Sequence, residues 1–224
     1  MHRRAAMIAR MEPTIPGART DYGDAPLKRS DLLAEPLLLL QRWLAAAANA
    51  GVREPTAMAL ATCAADGQPR CRIVLCKAID AGELVFFTNA GSDKGRELAA
   101  EPRAAATFWW PAPRERQVRI EGRVAPADDA LADRYFASRP RQAQLASAAS
   151  PQSRPLRDRR ELEALVAALA ARIGDGPVPR PPHWRGYRLQ PVCVEFWQGR
   201  AARLHDRFRF ARDGAGWRVL RLAP

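Results

Sequence analysis

The sequence predicts an α+β fold, an antiparallel barrel with helices packed around it. Strand-like runs follow one another through connections too short to hold crossover helices. Asp66-Gly67 separates "TAMALATC" from "RCRIVLCKAI", Asp80-Ala81-Gly82 leads into "ELVFFTN", and Asp213-Gly214 divides the last two runs. Helical patterns cluster in the middle of the chain instead of alternating with strands. With 224 residues, 47% of them hydrophobic, the chain can bury a substantial core as one domain.

Taken in order, residues 1–30 are polar and carry Pro13, Pro16, Gly17, Gly23 and Pro26, which predicts a flexible N-terminal arm; 31–224 then form a single domain. A helix is expected over 36–50, with Pro36 suited to its first turn and Gly51 just past its end. Strands follow at 56–63, 70–79 and 83–89. Ser92 can cap a short helix, "DKGRELAA". Residues 103–110 and 116–125 read as another antiparallel pair. The stretch 127–139 is amphipathic, and 158–174 opens on Asp158 with Glu161 three residues later and stops at Gly174. After the connector "GPVPRPP", three strands close the chain: "GYRLQPVCVEFWQ", "ARLHDRFRFAR" and "WRVLRLAP".

Formal net charge is +12, and the only lysines are Lys28, Lys77 and Lys94. Such an excess of arginine suits phosphate-bearing ligands, nucleic acid or an acidic surface, and it also suits a GC-rich coding sequence. Cys63, Cys71, Cys76 and Cys193 form no C-x-x-C pair and have no histidine cluster beside them. They predict no metal site and fit a reducing, cytoplasmic compartment. No apolar h-region follows Arg3-Arg4, and the run from Pro36 is too short and too interrupted to span a bilayer.

No nucleophile elbow, zinc helix, Walker loop or dinucleotide fingerprint is present. The densest polar segment is "EFWQGRAARLHDRF". Read as a strand, it puts Arg203, His205 and Arg207 on one face. A solvated edge strand is the plain reading; cations without partners facing a planar anion is the sharper one. Around "FFTNAGSDKGREL", Thr88, Ser92 and Lys94 surround a strand-to-helix turn, which is either an ordinary cap or an anion site. Period 2 places Arg72 and Lys77 on opposite faces unless a bulge intervenes, and Tyr135 and Arg139 share a helix face.

Together these segments resemble one family. "RIVLCK", "FFTNAGSDKGREL", "RQVRIEG", "YFASRPRQAQ", "PQSRP", "WRGYRLQPVCVEFWQGRAARLHDRF" and the terminal "RLAP" stand in the order and spacing of the pyridoxamine 5′-phosphate oxidases, from about Arg19 to Pro224. The resemblance implies an FMN-binding split barrel of Greek-key type, working as a homodimer with FMN at the interface and 176–224 supplying dimerisation and substrate-binding strands. It implies oxidation of pyridoxamine 5′-phosphate and pyridoxine 5′-phosphate to pyridoxal 5′-phosphate, with O2 as acceptor and H2O2 as product. By motif, the FMN site would comprise Arg72, Ile73, Val74, Leu75, Cys76, Lys77, Phe87, Thr88, Ser92, Lys94, Gln117, Gln152, Ser153, Trp197 and Arg207. The substrate would meet Lys77, Tyr135 and Arg139 at its phosphate and the catalytic pair Arg203 and His205 at its ring. Arg19 and Tyr22, in "RTDY", would belong to a lid.

The chain departs from the family pattern at three places. Asp93 stands where a phosphate-binding Arg is usual, Ala143 replaces a Ser that donates to the substrate phosphate, and "QLASAASPQS" lacks a Gly-Ala-Trp. An acid beside a phosphate weakens its binding unless the side chain turns away. Two rival readings are a split-barrel flavin oxidase of another aromatic substrate, such as a phenazine precursor, and a non-catalytic basic module. Neither nucleic acid nor membrane is an expected partner.

Overall fold

Alternation decides the sheet. In the computed structural model, which describes residues 22–224, strand β1 (Ala57–Cys63) buries every second side chain: Met58, Leu60 and Thr62. β5 (Arg103–Trp110) turns Ala106, Phe108 and Trp110 to the same core, and β6 (Arg116–Pro126) adds Val118, Ile120 and Val124. The remaining strands are β2 (Pro69–Leu75), β3 (Ala78–Asp80), β4 (Glu83–Asn89), β7 (Trp184–Gln198), β8 (Asp206–Asp213) and β9 (Gly216–Leu222). All pairings are antiparallel, in the order β2-β1-β5-β6-β7-β4-β3, with β8 and then β9 added beside β7.

The two ends of that order, β2 and β3, are neighbours in sequence, so the sheet curls into a barrel. The expected strand 70–79 divides there. The Cys76 N–H donates to the Thr56 carbonyl at 2.9 Å, and the Lys77 N–H donates to the Val85 carbonyl at 2.8 Å. The chain thereby leaves its partner β1 and joins β4 with both amides satisfied. Helix α1 (Pro36–Asn49) lays Leu37, Leu39, Leu40 and Trp43 against the barrel core, where Trp43 meets Phe196 edge-on at 5.1 Å. A second core joins α3 (Asp129–Ser138), α4 (Arg141–Ala149) and the start of β7 through Ala132, Phe136, Leu145 and Trp184, and α5 (Arg159–Ile173) packs Val166 and Leu169 against it.

Three expectations meet a different structure. Helix α4 occupies residues for which no element is expected. The described end of the expected arm, residues 22–30, joins the core, because Leu27 is 3% exposed and its N–H donates to the buried Asp206 carboxylate at 3.0 Å. Arg203 and His205 do not lie on a strand. A short 3₁₀ turn, Ala201–Arg203, contains two left-handed residues, Ala202 (φ 52°) and Arg203 (φ 63°), and β8 starts only at Asp206. The single polar row of Arg203, His205 and Arg207 is therefore absent. Among the described residues no helix is long and apolar enough to cross a membrane.

β6 and β7 pair along β6's whole length except at a bulge, where Gly122 opposes Pro191 and Val192 is extra. A Cβ on Gly122 would sit 2.0 Å from the Gln190 carbonyl oxygen, so backbone must shift to admit one. Gly122→Ala is expected to lower unfolding stability by about 1–3 kcal/mol. An unchanged urea midpoint would show that the bulge tolerates a side chain.

Candidate active site

A cleft of about 470 Å³ opens where the barrel closes. The break after β2 is what builds it. With Cys76–Lys77 switching partners, Arg72, Ile73, Val74, Leu75 and Lys77 all line one cleft, although strict alternation would have split them between faces. Across from them stand Phe87 and Thr88 of β4, Lys94 of α2 (Asp93–Ala100), and Tyr135, Arg139, Gln152 and Trp184. The aromatic wall is stacked: Phe87 lies 4.2 Å from Tyr135 and 5.2 Å from Trp184, nearly parallel to both. Gly186 pairs with Phe87 across the strands, and a Cβ there would touch the Phe87 ring at 3.0 Å.

The cations of this cleft divide into two kinds. Arg72 is structural as well as lining. It donates to Glu97 at 2.9 Å and to the Leu60 carbonyl and Thr62, so it ties α2 to β1. Glu97 is 6% exposed and also receives Arg70 at 3.2 Å. Burial alone would push its carboxyl up, but hydrogen bonds from Thr62 and Arg72 outweigh that and hold it below the ordinary 4.5. Lys77, Lys94 and Arg139 have no carboxylate partner among the described residues. Burial, then the charge of Arg72, lowers the Lys94 ammonium below its ordinary value. Burial does the same to Arg139. An anion in the cleft would relieve both.

Ser92 accepts the Gly95 N–H at 3.3 Å and so caps α2; its hydroxyl also lies 3.4 Å from the Lys94 ammonium. Gln152 Oε1 meets Lys94 Nζ at 3.3 Å and the Thr88 hydroxyl at 3.5 Å, and Ser153 accepts the Asp93 N–H at 3.2 Å. The Asp93 side chain turns to Arg96, 2.5 Å away and three residues on, and is neutralised outside the cleft. Cys76 is buried beneath the break. Burial pushes its thiol up to about 11, which removes it as a nucleophile.

A second group gathers at the far end of β7. Gln117 pairs with Trp197, and Trp197 with Arg207, in one row across three strands. The Trp197 ring lies 4.6 Å from His205 and 5.8 Å from Tyr22, and Tyr22 lies 5.6 Å from His205. The His205 Nδ1 accepts the Arg200 N–H at 3.1 Å, and burial followed by the Arg203 charge lowers the imidazole below 6.5. Arg207 is not a cation without a partner: it donates to Glu195 at 2.9 Å and to the Ala223 carbonyl at 2.8 Å. Arg203 is exposed and has no ion pair among the described residues. Arg19 lies outside the described residues.

Of the expected site residues, the cleft thus collects Arg72 to Leu75, Lys77, Phe87, Thr88, Lys94, Tyr135, Arg139 and Gln152, while Gln117, Trp197, His205 and Arg207 lie elsewhere on the chain. Trp184 and Pro140 also line the cleft and carried no expected role. Period could not find them, since each sits at the boundary of an element.

The family model described as "Pyridoxamine 5′-phosphate oxidase" matches residues 44–172, and "Pyridoxine 5′-phosphate oxidase C-terminal dimerisation region" matches 184–224. The chain is 48% identical to a pyridoxine/pyridoxamine 5′-phosphate oxidase of Rubrobacter xylanophilus, over 93% of this chain and 95% of that protein. It is 48% identical to the one of Burkholderia vietnamiensis, over 94% and 99%. Among solved structures it is similar to PhzG from Burkholderia lata in complex with tetrahydrophenazine-1-carboxylic acid (TM-score 0.83, 38% identity, 90% of this chain and 99% of that one). A pyridoxamine 5′-phosphate oxidase-related, FMN-binding protein of Nostoc punctiforme shares the fold, with TM-score 0.70, 18% identity and coverage of 86% and 100%.

Glu97→Gln is expected to lower stability at neutral pH by about 1–3 kcal/mol, because it removes the charge that Arg72 and Thr62 satisfy. The folded carboxyl titrates below 4.5, so its contribution is complete above that value and lost as pH falls through the lower folded pKa. Urea unfolding of both proteins from about pH 7 downward checks this. A difference that does not shrink in acid contradicts it.

Proposed function

The chain belongs to the pyridoxamine 5′-phosphate oxidase family, and from that premise we propose that it oxidises pyridoxamine 5′-phosphate and pyridoxine 5′-phosphate to pyridoxal 5′-phosphate. It is an FMN-dependent oxidoreductase. The observation that carries the substrate reading is the cleft itself: Lys77, Lys94 and Arg139, without carboxylates, beside the stack of Tyr135, Phe87 and Trp184. Cations short of counter-ions next to flat apolar walls suit phosphate esters of planar rings.

The residues fit FMN. Lys94 lacks a counter-ion that a phosphate would supply, Ser92 and Gln152 offer polar atoms around it, and Asp93 is held away by Arg96. Held there, FMN would supply the two-electron oxidation at C4′, with dioxygen as the final acceptor and hydrogen peroxide as its product. The protein's part is to bind and orient. Lys77, Tyr135 and Arg139 hold the substrate phosphate. His205 uses Nδ1 to accept from Arg200, so its neutral imidazole carries the proton on Nε2 and presents a donor there. Its lowered pKa keeps it in that form at neutral pH. The left-handed turn at Ala202–Arg203 directs the Arg203 charge into the open beside it.

The working form is a homodimer. Trp184 lines the cleft and Trp197 belongs to the second group, thirteen residues further along the same strand and beyond its bulge, and Gln117, Trp197, His205 and Arg207 do not line the cleft. A partner presenting its own second group to the cleft would complete the site, and the family's dimerisation region, 184–224, holds that group except for Gln117 and Tyr22.

A second reading has its own support in the likeness to PhzG, whose structure holds a tetrahydrophenazine carboxylate. The phosphate-directed cations favour the vitamin ester. The purified protein is expected to be yellow, to turn over both phosphorylated vitamers, and to lose roughly 10–100-fold in kcat on Arg203→Ala or His205→Ala with FMN retained. Parental turnover in both variants would sink the assignment of that pair. Oxidation of a reduced phenazine carboxylate but of neither vitamer would establish the second reading.

A further inference from the structure

We propose that Ser147 is a positioning residue for the substrate phosphate, its hydroxyl aiming the Arg139 guanidinium into the cleft. The inference rests on the reading that Arg139 holds that phosphate. Arg139 caps the C-terminus of α3, and Pro140 turns the chain directly into α4. Its guanidinium lies 5.2 Å from the Trp184 ring and 5.8 Å from Phe136, and Nη1 donates to Ser147 Oγ at 2.8 Å. Among the described residues that hydroxyl is its only hydrogen-bond partner.

The partner of Arg139 contrasts with those of three arginines that tie elements together. Arg180 is given Asp129 and Asp133, Arg188 is given Asp80 and Glu83, and Arg200 is given Asp24 and Asp206. A carboxylate would fix Arg139 equally well and cancel its charge. A neutral hydroxyl fixes one N–H, preserves the charge and leaves the remaining donors of the fork for an anion. Two rings supply a surface to lean on but no direction in their plane, so the hydroxyl sets the rotation.

Ser147 also faces a smaller polar cavity of about 190 Å³, shared with Thr88, Asn89, Ser150 and Gln152, which adjoins the cleft through Arg139. Ala143, one turn earlier on α4, brings no hydroxyl; Ser147 is the α4 side chain that reaches the guanidinium. The Ser147 carbonyl separately meets His183 Nε2 at 3.3 Å, a backbone link that any side-chain replacement retains.

The test is equilibrium binding of pyridoxal 5′-phosphate and of pyridoxal, which lacks the phosphate, to the FMN-loaded protein, with steady-state kinetics beside it. Ser147→Ala is expected to weaken binding of the phosphate ester about tenfold and to raise KM with little change in kcat, while binding of pyridoxal moves less than twofold. Ser147→Thr, which keeps the hydroxyl, restores binding of the ester; Ser147→Val, nearly the same shape without it, does not. Equal losses for both ligands, or no loss for the ester in the Ala and Val variants, overturn the inference. Arg139→Ala separates the two levels. If it leaves ester binding intact, the assignment of the phosphate to Arg139 fails; if it abolishes binding while Ser147→Val does not, only the role of Ser147 fails.

Discussion

The pairing demands of β7 organise this molecule. A fifteen-residue strand has main-chain donors and acceptors on both edges, and in a barrel all of them need partners. β6 covers one edge. The other is divided: β4 takes Trp184 to Leu189, and β8 takes Cys193 to Gln198. β4 reaches only to Leu189 and β8 only to Cys193, so the stretch Gln190 to Val192, which contains the bulge opposite Gly122, separates the two partners. The first half therefore carries its side chains to the cleft by the helical core. The second carries Trp197 to the group around His205. Splitting one edge between two partners separates the cleft from the group around His205.

At neutral pH this chain carries far more arginine than acid, and most of its buried carboxylates hold arginines across element boundaries. Glu97 anchors Arg70 and Arg72, Glu195 anchors Arg207, and Asp206 gathers Arg200, Arg221 and the Leu27 amide. Half-buried pairs of this kind lock geometry more than they add stability. Against that background, Lys77, Lys94 and Arg139 share one cleft and form no carboxylate ion pair among the described residues. The contrast lies between two uses of the same residue types in one fold, and net charge alone could not have disclosed it.

Much of the fold was legible because its signals are local. Tight Asp-Gly turns, the strand-like runs between them, and the Ser92 and Asp158 caps placed most elements within a residue or two. Helix α4 was not legible: "RQAQLASAA" has almost no apolar stripe, and Leu145 and Gln144 are its only buried residues. The strand through Arg203 and His205 failed for another reason. Ala202 and Arg203 take left-handed backbone without glycine or asparagine, so nothing in the residue types announces the turn. Arg207 looked free of partners because Glu195 lies twelve residues away and becomes its neighbour only when β7 and β8 pair. The motif resemblance reached residues such as Gln152 that periodicity left in a loop.

The segment from Tyr22 to Leu27 shows how the placement of one ring can depend on a buried acid elsewhere. Asp206 is 2% exposed, and a carboxylate so buried needs full hydrogen bonding. It obtains this partly from the Leu27 amide, while the Gln198 side chain donates to the Ala25 carbonyl and Arg200 reaches Asp24. These contacts fix the chain entering the domain, and Tyr22 follows five residues before Leu27. Gly199 completes the arrangement, since a Cβ there would meet the Tyr22 ring at 2.9 Å. The tyrosine is thus laid against Trp197 and His205 by the need to satisfy one buried acid. The same Arg200 that serves that acid through its guanidinium fixes the His205 tautomer through its backbone N–H. The guanidinium thus holds the entering segment and the backbone N–H holds the imidazole, so a side-chain replacement at Arg200 loosens the first contact and retains the second.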